Sequence, residues 1–159
     1  MRVVRVYCDT DLAVTERFTL PKEQSHHVST VLKMRPGEPV EVFNGQGGAY
    51  AGVVLSTGKS TVVSLTTALP DAPCHHASAT LAIALLRGEK MDWVIQKATE
   101  LGVTAIQPIV TDRTIATVPK DRLAQRQAHW QQIAISACEQ SGRTRLPGIA
   151  LPLKLSDYL

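Results

Sequence analysis

The sequence predicts an α/β protein in two successive parts: a small strand-built barrel or sandwich, then an incomplete parallel α/β sheet. Three observations predict it. Short apolar strands crowd the chain up to Leu69. A proline-rich break follows. Beyond it the rhythm changes to strand–helix alternation, which implies parallel pairing with right-handed crossovers. The expected divisions are residues 1–72, a linker at 73–78, and residues 79–159.

In the first part, from about Arg17 to Leu69, short strands and turns alternate. Pro21 opens a helix expected to run through Val31 to Lys33, and Pro36-Gly37 ends it. Pro39 to Phe43 alternates as a strand. Asn44-Gly45-Gln46-Gly47-Gly48 is a hairpin signal. It lacks the Lys-Ser/Thr of a phosphate loop and precedes a strand, so a turn is the better reading. Ala49–Leu55 and Thr61–Leu69 supply two more strands. Strands this closely spaced suggest a small barrel. The run from Pro70 to His76 then carries two prolines within four residues, which no central strand accommodates.

In the second part, Ala79–Leu86 is a near-continuous apolar run, expected as a strand buried on both faces. Glu89–Leu101 is expected to be helical: Met91, Val94, Ile95, Ala98 and Leu101 share one face. Gly102 is placed to cap its end. Val103–Val110 is a second strand, 121–141 a long helix closed by Gly142, and Gly148–Leu151 a third strand. Ser156-Asp157 resembles a helix N-cap two residues before the last residue, Leu159. No helix is expected in that length. The expectation is therefore that the polypeptide has been cut short.

Composition narrows the function classes. The chain has 159 residues, 44% hydrophobic and 19% charged, which disfavours intrinsic disorder and permits a sizeable core. The net charge of +3 is only mildly basic. Residues 1–76 hold seven Lys/Arg against seven Asp/Glu; residues 77–159 hold ten against seven and so carry the whole excess. Cys8, Cys74 and Cys138 form no CxxC pair, which argues against a zinc ribbon or disulfide framework and suits a reducing cytoplasm. The charged N-terminus lacks the apolar core of a signal peptide, and no run approaches a membrane span.

Five short motifs are weighed for function. His26-His27 occupies adjacent helical positions, about 100° apart, which chelate one metal poorly. Cys74-His75-His76 has no partner cluster. Arg87-Gly88-Glu89-Lys90 is more informative. It follows a strand and opens a helix, at the carboxyl end of a parallel sheet, where α/β ligands bind. Free helix N–H groups there suit an anion, and Arg87 and Lys90 add positive charge; Glu89 and Asp92 equally suit ordinary dipole capping. Cys138-Glu139-Gln140-Ser141-Gly142-Arg143 closes the long helix. Its carboxylate, amide and guanidinium suit a base edge and its phosphate, or simply a helix C-terminus with Arg143 and Arg145 set against the dipole. Cys138, flanked by Ala134, Ile135 and Ala137, reads as a buried thiol. Lys120, Arg122 and Arg126, with Asp121 between, read as a solvated face; phosphate contact is the unspecific alternative.

Four stretches, taken in order, resemble one family. They are MRVVRVY, HHVSTVLKMRPGEPVEVFNG, RGEKMDWVIQKATELGVTAIQPIVTDRT and HWQQIAISACEQSGRTRLPGI. Together they are similar to the RsmE family of 16S ribosomal RNA uridine-N3 methyltransferases. The resemblance implies a PUA-like RNA-binding barrel followed by a SPOUT-type methyltransferase domain. It implies S-adenosylmethionine as methyl donor, 16S ribosomal RNA or the small ribosomal subunit as partner, a cytoplasmic homodimer, and no membrane. In the family the cofactor sits in a knotted C-terminal segment whose Gly-Pro-Glu-Gly-Gly turn this sequence lacks. No cofactor-binding residue is therefore assigned, and the 159 residues are expected to be inactive alone.

Carried over residue by residue, Arg87, Lys90, Glu139 and Arg143 are the candidate catalytic residues, and Glu89 and Gln140 candidate uridine contacts at the mouth of the sheet. Arg2, Arg5, Lys33 and Arg35 are expected RNA-backbone contacts. Methylating uracil N3 requires loss of its imide proton. A nearby cation (Arg87, Lys90 or Arg143) would favour the resulting anion, and Glu139 is a candidate base. N3 lies on the Watson–Crick edge, so the target must be unpaired or flipped. Two other readings compete: a non-catalytic RNA-binding module, and an unrelated small α/β nucleotide-binding enzyme, which the lack of a complete phosphate loop weakens.

Overall fold

The structure is a computed structural model that describes residues 3–70, 78–114 and 118–159. Arg2, most of the expected linker 73–78 and Cys74-His75-His76 lie outside the described residues. The chain divides into two compact units, Met1–Cys74 and His75–Leu159.

The first unit is one five-stranded sheet with a short helical segment. Its strands are β1 (Val4–Tyr7), β2 (Thr15–Thr19), β3 (Pro39–Phe43), β4 (Ala49–Ser56) and β5 (Val62–Leu69). They lie in the order β1-β3-β4-β5-β2, with β1 parallel to β3 and the other pairs antiparallel. The period-2 pattern puts Val40 and Val42 of β3, Val54 of β4, and Val63 and Leu65 of β5 in one core with Val6, Val28 and Met34. The β3–β4 hairpin forms over the glycine-rich turn, Phe43 opposite Ala49. Bulges at Ala51/Gly52 and Val54/Ser56 interrupt the β4–β5 ladder and bend it. A Cβ on Gly52 would lie 2.0 Å from the Ser64 carbonyl oxygen, so only glycine admits this approach.

The helix expected from Pro21 to Lys33 is shorter and partly irregular. Helix α1 (Lys22–His26) gives way to a π-helical turn at His27–Val31. The β-branched Val28, Thr30 and Val31 lose side-chain freedom in an α-helix. Lys33 adopts φ +52°, and the Met34 N–H donates to the Val28 carbonyl at 3.0 Å, a Schellman-type closure that turns Met34 into the core. A buried polar knot ties α1 to the start of β5. The Ser25 hydroxyl donates to Leu20 O (2.9 Å) and accepts from Thr61 N–H (3.0 Å), while Thr61 Oγ1 donates to Ser25 O (3.2 Å).

The second unit is a parallel sheet: β6 (Thr80–Ala84), β7 (Ala105–Val110), β8 (Gly148–Ile149) and β9 (Leu153–Lys154). Both β8 and β9 pair with β7. Helices α2 (Glu89–Glu100) and α3 (Leu123–Ser141) pack together, and Met91, Ile95, Ala98, Trp130 and Ala134 form a core with Leu85, Ile106 and Ile149. A 3₁₀ turn at Lys120–Arg122 precedes α3, and Gly142 (φ +85°) ends it as expected.

Three expectations are corrected. Strand β6 is not buried on both faces: Thr80, Ala82 and Ala84 are exposed and only Leu81 and Ile83 pack inward, because only one of its faces meets the core formed with α2 and α3. Leu101 leaves the apolar face, 86% exposed, since α2 ends at Glu100 and Gly102 (φ +96°) turns the chain away. A four-residue helix, α4 (Leu155–Tyr158), does form; Lys154 is its N-cap, and Ser156 bonds instead to Asp157. No helix among the described residues is long and apolar enough to cross a membrane.

Candidate functional site

Because every strand pair in the second unit is parallel, the carboxyl ends of β6, β7 and β9 share one edge. The turn after β6 carries Arg87, Gly88, Glu89 and Lys90 there, all exposed. Gly88 is the N-cap of α2 with φ +49° and ψ −129°, a conformation that L side chains rarely adopt. Leu86, Glu89, Lys90, Trp93 and Val94 line a hollow of about 440 Å³ beside the turn. Trp93 is 61% exposed. Sequence reasoning passed over it, although its place off the Met91–Val94–Ile95–Ala98 stripe was the available signal.

The first half of α3 lies toward the same edge. His129 Nε2 is 2.9 Å from Asp92 Oδ2 in the first turn of α2, which joins the two helices near the Arg87–Lys90 turn. Val118, Pro119, Arg122, Gln125, Arg126 and His129 line a second hollow of about 440 Å³. Arg122 and Arg126, which read as part of a plain solvated face, thus form the wall of a groove.

Glu139, Gln140 and Arg143 lie elsewhere. Helix α3 runs back across the sheet and ends over the amino ends of the strands. The Arg143 guanidinium donates to Thr99 O (2.9 Å), in the last turn of α2, and to Val103 O (2.5 Å), in the turn that follows it. The twelve residues of α2 separate that end from Glu89 by about 18 Å. The expectation that all six residues meet at one mouth of the sheet is therefore corrected for a single chain. Arg87, Glu89 and Lys90 stand together, and Glu139, Gln140 and Arg143 stand at the opposite edge. Gln140 lines a groove of about 250 Å³ with Gln96, His129 and Gln132. Cys138 is fully buried, its thiol 3.6 Å from Arg145 O.

In the first unit, Arg5 is corrected as an RNA-backbone contact. Its Nε donates to Glu41 Oε1 at 2.6 Å, its guanidinium carbon lies 4.7 Å from the centroid of the Phe43 ring, and its side chain is 9% exposed. The neighbouring Glu41, directly across the β1–β3 ladder, takes the charge inward. Lys33 and Arg35 are exposed, as phosphate contacts must be. His26 is exposed and His27 half-buried.

Comparison with known proteins places these features in a family. A family model described as "RNA methyltransferase domain" matches residues 73–159, more than half of the chain, and one described as "RNA methyltransferase PUA domain" matches residues 20–65. The Ribosomal RNA small subunit methyltransferase E of Synechocystis is 33% identical over 143 residues, 89% of this chain and 45% of that protein. Its counterpart from Buchnera aphidicola subsp. Acyrthosiphon pisum is 27% identical over 99% of this chain and 62% of that protein. The Neisseria gonorrhoeae Ribosomal RNA small subunit methyltransferase E, solved with S-adenosyl methionine, superposes with a TM-score of 0.91 at 33% identity, over 99% of this chain and 65% of that one. A Legionella pneumophila protein solved with bound SAM gives 0.93 at 31%, over 99% and 66%. The chain thus spans about half to two-thirds of the length of these relatives. It belongs to the RNA methyltransferase family that its motifs resemble, the family of the ribosomal RNA small subunit methyltransferase E proteins.

Proposed function

We propose that the chain serves S-adenosylmethionine-dependent methylation of uridine N3 in 16S ribosomal RNA, within a polypeptide as long as its relatives, in the cytoplasm. Residues 1–72 act as the RNA-binding part and 79–159 as part of the methyltransferase. The observation that carries the reading is the Arg87–Lys90 turn at the carboxyl edge of a parallel sheet, in a chain of this family. Arg87 and Lys90 hold the negative charge that uracil gains when N3 loses its proton, and Glu89 contacts the base. Lys33 and Arg35 contact the RNA backbone.

S-adenosylmethionine would supply the methyl group. The described residues do not fit it on their own: the hollow beside Trp93 is an open groove with one carboxylate and one ammonium, and nothing there encloses a nucleoside. No residue is assigned to the cofactor, and the 159 residues alone are proposed to be inactive. Glu139, Gln140 and Arg143 reach the uridine bound by Arg87 only from a second copy, in the homodimer.

The test is transfer of labelled methyl from S-adenosylmethionine to small ribosomal subunits, by this chain and by a longer polypeptide containing it. Nucleoside mass spectrometry then locates the methyl group. Activity of the longer polypeptide alone, at N3, supports the reading; methylation of another atom, or none, refutes it. Mixing inactive Lys90→Ala and Glu139→Ala variants tests the second copy: restored activity supports a shared site, and none counts against it.

A further inference from the structure

We propose that Arg122, the N-cap of α3, together with Arg126 and His129 on α3, forms a track for the phosphates of single-stranded RNA. The proposal rests on the RNA-substrate reading but concerns residues that the reading leaves unused.

The three side chains follow at i, i+4 and i+7, so they share one face of the helix. About 6 Å of helix axis separates Arg122 from Arg126. All three line the same 440 Å³ hollow with the Gln125 amide, and its other wall is Val118 and Pro119. Among the described residues neither arginine has an ion-pair partner; the three salt bridges present are Arg5–Glu41, Lys97–Glu100 and His129–Asp92. Asp121 precedes Arg122 without pairing to it, and Asp92 meets His129 through Oδ2, its buried Oδ1 having no hydrogen-bond partner among the described residues.

A groove walled by two uncompensated guanidiniums, an imidazole and an amide is complementary to phosphodiester oxygens, which accept bidentate N–H donors. It lies toward the same edge as Arg87 and Lys90, so one strand can meet both. The track offers no base-edge pattern, so its contribution is independent of sequence.

The experiment measures binding of a labelled single-stranded oligouridylate to the chain by fluorescence anisotropy across a salt series. Each phosphate contact contributes about 0.7 to the log–log salt slope for single strands. The Arg122→Ala/Arg126→Ala variant is expected to lose about 1.4 from that slope, and the Arg122→Lys/Arg126→Lys variant to keep it. An unchanged slope in the alanine variant overturns the proposal, and so does an equal loss in the lysine variant. Polyglutamate competing as well as RNA would assign the groove to an acidic protein partner and also overturn it. The two readings fail differently. RNA bound with an unchanged slope removes the track and leaves the methyltransferase reading. A reduced slope, with no methyl transfer by the longer polypeptide, removes the methyltransferase reading and leaves the track.

Discussion

Arg143→Ala separates a structural from a catalytic guanidinium. Arg143 makes two charge-assisted bonds, to Thr99 O at 2.9 Å and Val103 O at 2.5 Å, and both acceptors close the C-terminal end of α2. A hydrogen bond to a charged group is worth roughly 1.5–3 kcal/mol. The side chain is half-buried, so the lower end applies, and two bonds give a loss of about 3 kcal/mol. The assay is urea denaturation followed by tryptophan emission. Both tryptophans, Trp93 and Trp130, belong to the second unit, and Trp130 is 1% exposed in its core, so the signal reports the unit that Arg143 holds. Arg143→Lys should recover about half, since an ammonium cannot span two carbonyls as a planar fork does. Arg87→Ala, at an exposed position, should shift stability by less than about 0.5 kcal/mol. An unchanged midpoint in Arg143→Ala would refute the capping argument.

Three further outcomes are expected. Gly52→Ala should destabilise the first unit by about 1–3 kcal/mol through overpacking against the Ser64 carbonyl; an unshifted circular-dichroism melt would mean that β4 and β5 do not approach so closely. Acrylamide quenching should resolve two tryptophan populations, the exposed Trp93 quenched and the buried Trp130 protected; one uniformly quenched population would contradict the core around Trp130. Burial, then the charges of Asp9 and Cys8, raises the Tyr7 phenol above its ordinary 10.0. Folding therefore favours the neutral phenol. Its contribution is full below pH 10.0 and is lost as pH rises through the folded value. Tyr7→Phe should flatten that alkaline loss in unfolding curves taken at increasing pH, and an identical loss in both proteins would exclude Tyr7 as its source.

Much of the fold was legible because its signals are local. The Pro39–Phe43 alternation, the glycine-rich hairpin and Gly142 at the end of α3 each act within a few residues of themselves. Strands β1 and β2 were missed. Arg5 takes the polar place in the short alternation of β1, and its burial becomes intelligible only with Glu41 opposite it on β3. In β2, the register shifts between Thr15 and Phe18. The open face of β6 was equally invisible, because an apolar run does not say how many of its faces other elements will cover.

The candidate site divides along the same line. The Arg87–Lys90 turn could be read because a strand, a glycine and a helix start are consecutive in the chain, and a parallel sheet sends every such turn to one edge. Arg143 could not be placed, since its acceptors lie 44 and 40 residues away. Charged triplets look alike in a sequence, but the length of the helix between them decides which edge each occupies. The carboxyl edge of this sheet gathers Arg87, Lys90, Arg122 and Arg126 with no ion pair among the described residues, which leaves them available to an anion. At the amino edge, Arg143 is occupied with carbonyls that hold two helices together. A cation spent on the fold can still orient a substrate brought by another chain, but its removal will first be read as instability. The stability of each variant therefore has to be measured before its activity is interpreted.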